Sequence, residues 1–245
     1  MIESIHFGSK QIDFRLEYSN RKSLGITVTS DMDVLVKAPA ETSIEKVKEI
    51  LRKKAPWIIR QQGFFLSFHP KMPARKYVGG ETHLYLGRNY RLKIVNPTEQ
   101  GLPAQNEGIV KIIGGFAIVF TSDKNKAESY LKNWYRQKAK QKFEEIARPM
   151  IDKFILRHKL SLDNPATEGL TIREMPTRWG SCTSKGKIIL NPELIKAPKV
   201  CIEYVIIHEL CHLIYHDHTQ KFLDLQTSEM PEWEKWKLKL EKLLA

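Results

Sequence analysis

A chain of 245 residues, 42% of them hydrophobic, has enough apolar material for one large domain or two small ones, and no apolar run of about 18 residues that would cross a bilayer. Forty Lys+Arg against 28 Asp+Glu leave a formal charge of +12, which favours polyanionic or acidic partners, although dispersed lysines that serve solubility account for it equally well. Cys182, Cys201 and Cys211 have no paired spacing, which argues against a disulfide framework, and the N-terminal stretch lacks the basic-then-apolar layout of a signal peptide; a cytoplasmic protein is expected.

Residues 1–40 read as strands. Segments 14–16 and 24–28 alternate apolar and polar residues, and 34–36 follow Asp31, Met32 and Asp33, a hairpin-turn composition. Thr42 and Glu45 have capping-box spacing and open a helix near 42–68, with Ile44, Val47, Leu51 and Ile58 on one stripe. Pro56 is expected to kink or restart it. Proline and glycine between 71 and 80 mark a linker. A second β-rich block has strands at 81–86, 90–95, 109–113 and 116–120, a loop at Gly87, Arg88 and Asn89, and a two-residue turn at Gly114 and Gly115. The polar stretch 96–108 reads as a surface loop, and no internal repeat stands out.

A long helix is predicted from about 123 to 159 through Leu131, Trp134, Phe143, Ile146 and Phe154, kinked or broken at Pro149. Lys132, Arg136 and Lys140 recur along it as a basic ridge, a solvated face or a polyanion contact. Short strands at 171–175 and 187–190 are joined through 176–186. A helix starts after Pro198, a further one at Thr219 runs through Phe222 and Leu225, and Pro231 opens the last, whose Trp233, Trp236, Leu240 and Leu243 face a core.

The chemistry concentrates at 204–212, where H-E-x-x-H lies in an almost unbroken apolar segment. Four residues apart on a helix, His208 and His212 are only about 40° apart, so two imidazoles can share one metal ion. Glu209 lies too far round to be an obvious ligand and is well placed to hydrogen-bond a water on that metal. Val205, Ile206, Ile207, Leu210, Leu213 and Ile214 make the helix nearly apolar all round and hence buried. Buried His and Glu need partners, since an unsatisfied polar group costs about 1–3 kcal/mol, and a metal supplies one. A catalytic zinc takes three protein ligands and keeps one open position. Candidates for the third are His216, His218, Asp224 and Glu229. A turn at Asp217 before Thr219 favours His218, and a carboxylate from a following helix is the rival. Cys211 points about 100° from His212 and reads as a small buried hydrophobe. Tyr204 reads as core that can reach the cleft. His6, His69, His83 and His158 show no partner pattern.

R-W-G-S-C at 178–182, I-L-N at 189–191, Y-V-I-I-H-E-L-C-H at 204–212 and H-x-x-x-F at 218–222 resemble the YgjP-like metallopeptidase family, which is related to the SprT-like and WLM-type zinc peptidases. S-L-G-I-T-V at 23–28 and Y-L-G-R-N-Y-R-L at 85–92 extend the resemblance over most of the chain. The family pattern implies His208, His212 and His218 as ligands and Glu209 as the base. For 178–182 the residue-level reading is a structural turn, with Gly180 at an unusual backbone angle. The resemblance implies instead that these residues line the metal cleft, where the Arg178 fork suits a substrate carboxylate or phosphate.

The expected architecture is α+β. A β-rich N-terminal portion over 1–121, with one helix, precedes a helical connector and a zincin-like catalytic core over 122–245, a short antiparallel sheet lying over the H-E-x-x-H helix. The expected function is a zinc-dependent hydrolase, foremost a metallopeptidase acting on a peptide or protein, with another divalent transition metal as the alternative cofactor. A metal-dependent phosphohydrolase acting on a nucleotide or nucleic acid is the second reading. A non-catalytic, zinc-containing nucleic-acid-binding protein is the third.

Overall fold

The computed structural model describes residues 2–29, 31–66, 75–101, 103–161, 165–176 and 178–244, and it divides into two compact units, residues 1–73 and 74–244. The fold is α+β, with three small sheets and five α-helices among the described residues. Among them no helix is long and apolar enough to cross a membrane.

In the first unit, strands β1 (Ile2–Phe7), β2 (Lys10–Ser19), β3 (Gly25–Val28) and β4 (Val34–Pro39) form a sheet in the order β1-β2-β4-β3. The outer pairs are antiparallel and the central β2/β4 pair is parallel. Alternation in β2 and β4 turns Ile12, Phe14, Leu16, Val34 and Val36 inward, against Val47, Leu51, Ala55 and Ile58 of helix α1 (Ile44–Leu66). The cap of α1 lies one residue beyond the expected Thr42: Ser43 Oγ accepts from Lys46 N–H at 3.4 Å. Pro56 neither ends nor restarts α1. It lies on the exposed face, where water can satisfy the carbonyl left without an N–H partner. Of the linker expected at 71–80, residues 71–74 lie outside the described residues, as do His69 and positions 67–68 of the predicted helix.

The second unit begins with β5 (Thr82–Tyr85), β6 (Arg88–Val95), β7 (Val110–Ile113) and β8 (Phe116–Phe120), in the order β5-β6-β8-β7. Its pairing repeats that of the first sheet, antiparallel outside and parallel in the centre, and a helix again follows. This four-strand-plus-helix repeat is one of topology and leaves no signature in the residues. The loop expected at 87–89 is a two-residue turn one position earlier. Leu86 (φ 48°) and Gly87 (φ 77°) are both left-handed, as the twist of a tight hairpin requires. Leu92, Val110 and Val119 belong to the core built on helix α2 (Ala127–His158), so this sheet clusters with residues 74–244, whereas the expected division fell at 121/122. Pro149 is exposed and leaves α2 unbroken.

The rest of the unit holds β9 (Thr171–Ile172), β10 (Gly180–Cys182), β11 (Ile188–Leu190) and helices α3 (Lys199–Cys211), α4 (Gln220–Glu229) and α5 (Trp233–Leu244). The middle of the connection expected at 176–186 is thus itself a strand. The sheet, in the order β10-β11-β9, is mixed rather than antiparallel: β10 pairs antiparallel and β9 parallel with β11. The β5–β6 hairpin tip anchors the entry to α3. Leu86 and Gly87 donate to the carbonyls of Ile195 and Lys196, at 2.8 and 3.0 Å, just ahead of Pro198, the N-cap of α3. A Cβ on Gly87 would meet Pro198 Cγ at 2.7 Å, so the tip and the helix start are in direct contact.

Candidate metal centre

Helix α3 is as apolar as its sequence implies: Cys201, Ile202, Val205, Ile206 and Leu210 are buried in the core. The polar residues of its last turn therefore face the one side left open, a cavity of about 670 Å³ lined by Tyr204, His208, Glu209, His212, His216, His218 and residues 178–184. The helix ends at Cys211. His212 is its C-cap, and a turn over 213–215 reverses the chain, so His216 does not extend the helix. The reversal returns His218 to the pair. Ligand atoms of His208, His212 and His218 lie within 4.8 Å of one another, and this trio is the group among the described residues able to hold a metal ion.

The ring orientations are fixed from behind. His208 Nδ1 donates to Gln226 Oε1 at 2.9 Å, and His212 Nδ1 donates to the Tyr215 carbonyl at 3.0 Å. With the proton on Nδ1, each ring turns an Nε2 lone pair into the cluster. Burial pushes the His208 imidazole down to about 4, and burial with the neighbouring His212 also lowers His218. Both are then neutral near pH 7, the form that ligates. His218 Nε2 lies 3.1 Å from His208 Nε2. Two lone pairs at that distance repel unless a proton or a cation lies between them. The residues therefore fit a divalent metal with nitrogen ligands.

Glu209 is buried on the neighbouring side of α3. Burial pushes its carboxyl up to about 7, against the opposing pull of the Cys182 backbone N–H, which donates to it, and of the Arg178 charge. A group poised near neutrality suits proton transfer. Strand β10 passes so close that a Cβ on Gly180 would meet Glu209 Oε1 at 2.6 Å and Val205 Cγ1 at 2.9 Å. Gly180 has no left-handed φ, so the role expected for its backbone angle is corrected. What the site requires there is the missing side chain.

The other sequence candidates are also located. Arg178 is exposed in the cavity wall. Asp224 accepts from Gln220 at 2.8 Å, and Glu229 pairs with Arg157 at 2.9 Å and His158 at 3.0 Å, so both carboxylates are engaged elsewhere. Tyr204 lines the cavity while its ring stacks on Trp233 at 6.4 Å. Burial pushes the Cys211 thiol up to about 12 and that of Cys182 to about 11, so neither is a thiolate at neutral pH. Two contributors escaped sequence reasoning. Gln226 is fully buried and orients His208 although its Nε2 has no partner among the described residues. Its one signal was a polar residue four positions after Phe222, on the inward face of α4. Asn191 accepts from the Glu193 N–H and donates from Nδ2 to the carbonyls of Met175 at 2.8 Å and Arg178 at 3.1 Å, tying down the segment that carries Arg178.

The family model described as YgjP-like, metallopeptidase domain, matches residues 22–243. Comparison with curated proteins and with solved structures gives no match.

Proposed function

The chain belongs to the YgjP-like metallopeptidase family, and from that premise we propose that it is a zinc-dependent peptidase in which His208, His212 and His218 hold the metal and Glu209 is the general base. The observation that carries this reading is the pair of Nε2 atoms 3.1 Å apart, on rings oriented by acceptors at Nδ1 or by the reversing turn. Zinc suits three imidazoles with an open fourth position, and another divalent transition metal is the alternative. When bound, the metal supplies the Lewis acidity that brings a water's pKa down to about 7.

The chain's own residues supply the rest. The Glu209 carboxylate takes a proton from a water in the cavity and, once protonated, has one to give to the leaving amine. The Cys182 N–H holds that carboxylate in place through the exchange. Strand β10 is an edge of its sheet and lines the cavity, so an extended peptide laid beside it can add a strand. That edge favours a peptide or protein substrate. The three unpaired cysteines support a cytoplasmic setting.

Arg178 in the cavity wall favours a second reading, a metal-dependent phosphohydrolase acting on a nucleotide, since its fork suits phosphate as well as carboxylate. The third, a non-catalytic zinc protein that binds nucleic acid, leaves a buried carboxyl in the cavity without a purpose. One experiment separates them: metal-loaded protein assayed in parallel against unstructured proteins and nucleoside triphosphates. Peptide-bond cleavage is expected, lost by about 100-fold or more in Glu209→Gln with the metal retained. Hydrolysis of triphosphates alone would replace the first reading by the second. His218→Ala should release the metal and His216→Ala should keep it; equal losses would show the third ligand to be misassigned.

A further inference from the structure

A second cavity, of about 410 Å³, is lined in part by the segment that leads to Arg178. Glu174, Met175 and Pro176 form part of its wall, whereas Arg178 to Ser184 line the metal cavity. Asn191, also in this wall, bonds to carbonyls in both halves of the segment. Lys132 and Arg136, two members of the basic ridge of α2, also line it, as do Lys196 and Glu193.

The charges in this cavity are unequally used. Lys196 pairs with Glu193, and Lys132 with Glu128 at 2.6 Å outside the cavity. Arg136 is exposed, and its guanidinium makes no hydrogen bond or ion pair among the described residues. An unengaged guanidinium at a concave wall, one turn from an ammonium, is a ready partner for an anion. The aromatic side chains narrow the class of anion. Lys132 Nζ lies 5.7 Å from the Tyr77 ring centre, and His83 stands 5.6 Å from that ring. Lys196 Nζ lies 5.3 Å from the ring centre of Tyr135, itself buried with its hydroxyl donating to the Leu84 carbonyl at 2.6 Å. Tyr135 is buried, and the partly buried Tyr77 already has Lys132 and His83 against its ring, which leaves these rings less open to a base. Glu174, in the same wall, opposes a dianionic phosphate more than a single carboxylate.

We infer that this cavity is an accessory site for a peptide carboxylate, held chiefly by Arg136 with Lys132 beside it. The carboxylate belongs either to an acidic side chain or to a chain terminus. The test is fluorescence anisotropy on the 245-residue Glu209→Gln protein, which spares the probes from cleavage. Three labelled probes are compared: an amidated Gly-Glu-Glu-Gly peptide, a free-acid Gly-Ala-Ala-Gly peptide and an oligothymidine. Saturable binding is expected for at least one peptide, and which one identifies the source of the carboxylate. Arg136→Ala should weaken it about tenfold, Arg136→Lys should restore it only in part, and Glu174→Gln should tighten it. Because His218→Ala leaves this cavity intact, binding should persist in that variant even if the metal reading fails. Absence of saturable peptide binding, indifference to Arg136→Ala, or tighter Arg136-dependent binding of the oligothymidine would each overturn the assignment.

Discussion

Gly180 shows how a single residue sets the site. Its hydrogen stands where any Cβ would press on Glu209 Oε1 at 2.6 Å and Glu209 Cγ at 2.8 Å. Gly180→Ala must therefore displace either the carboxyl or the β10 backbone. Overpacking of this kind costs about 1–3 kcal/mol of stability. Denaturant titration should show that loss, and the rate of peptide cleavage should fall at least about tenfold while metal content is unchanged. Wild-type rate and stability together would show that the close approach is not needed. The glycine was conspicuous in R-W-G-S-C, but its reason was not legible, because the clashing side chain lies 29 residues further along. Gln226 was missed on similar grounds: the partner of its side chain among the described residues, His208, is 18 residues away.

At the scale of elements, β5 carries a buried imidazole that the sequence left without a role. His83 Nε2 lies 3.2 Å from Glu81 Oε2, with Tyr77 against its ring. Burial and the Arg75 charge hold His83 below its ordinary value of about 6.5, against the opposing pull of Glu81. The folded state thus resists a proton that the unfolded chain accepts. Stability from this residue is complete above about pH 6.5, declines as pH falls from there through the lower folded value, and is flat below it. Glu81 acts in a separate window. Burial opposes its ionisation, but the Lys76 and Tyr77 N–H groups and His83 hold it below 4.5, so its contribution is lost only at lower pH. Denaturation midpoints of metal-loaded protein between pH 7.5 and 5 should fall, and the fall should be shallower in His83→Gln. Parallel curves for the two proteins would remove His83 from the account. Strands and hairpins were largely legible here through alternation and glycine turns. The burial of His83 was not, because the groups around its imidazole, Tyr77 against the ring and Arg75 and Lys196 nearby, are brought there by the fold.

At the scale of the whole molecule, the described core residues fall into two clusters with no member in common. One runs from Ile5 to Ile58, and the other from Leu92 to Leu240. Every residue of the candidate centre, from Arg178 to Gln226, belongs to the second unit. A fragment of residues 75–245 should therefore fold and bind one zinc with about the affinity of the full chain. Titration of both proteins against a competing chelator checks this. A fragment that is unfolded, or that binds more than about tenfold more weakly, would tie the site to residues 1–73.

The sequence by itself located two of the three histidines of the cluster that could hold a metal ion, and most of the elements. Helical periodicity brings His208 and His212 to one face, an apolar run buries the rest of the helix, and both properties are local. The return of His218 was legible as a preference, because a turn at Asp217 is local too. Only the tertiary structure decided the rest. It brought Gly180 against Glu209 and set Gln226 behind His208. It gathered Lys132, Arg136 and Glu174 around one cavity, and it joined the second four-stranded sheet to the α2 core rather than to the first 73 residues. Each of these joins side chains far apart in the chain, and hydrophobic burial selects them without leaving a pattern in the residues between.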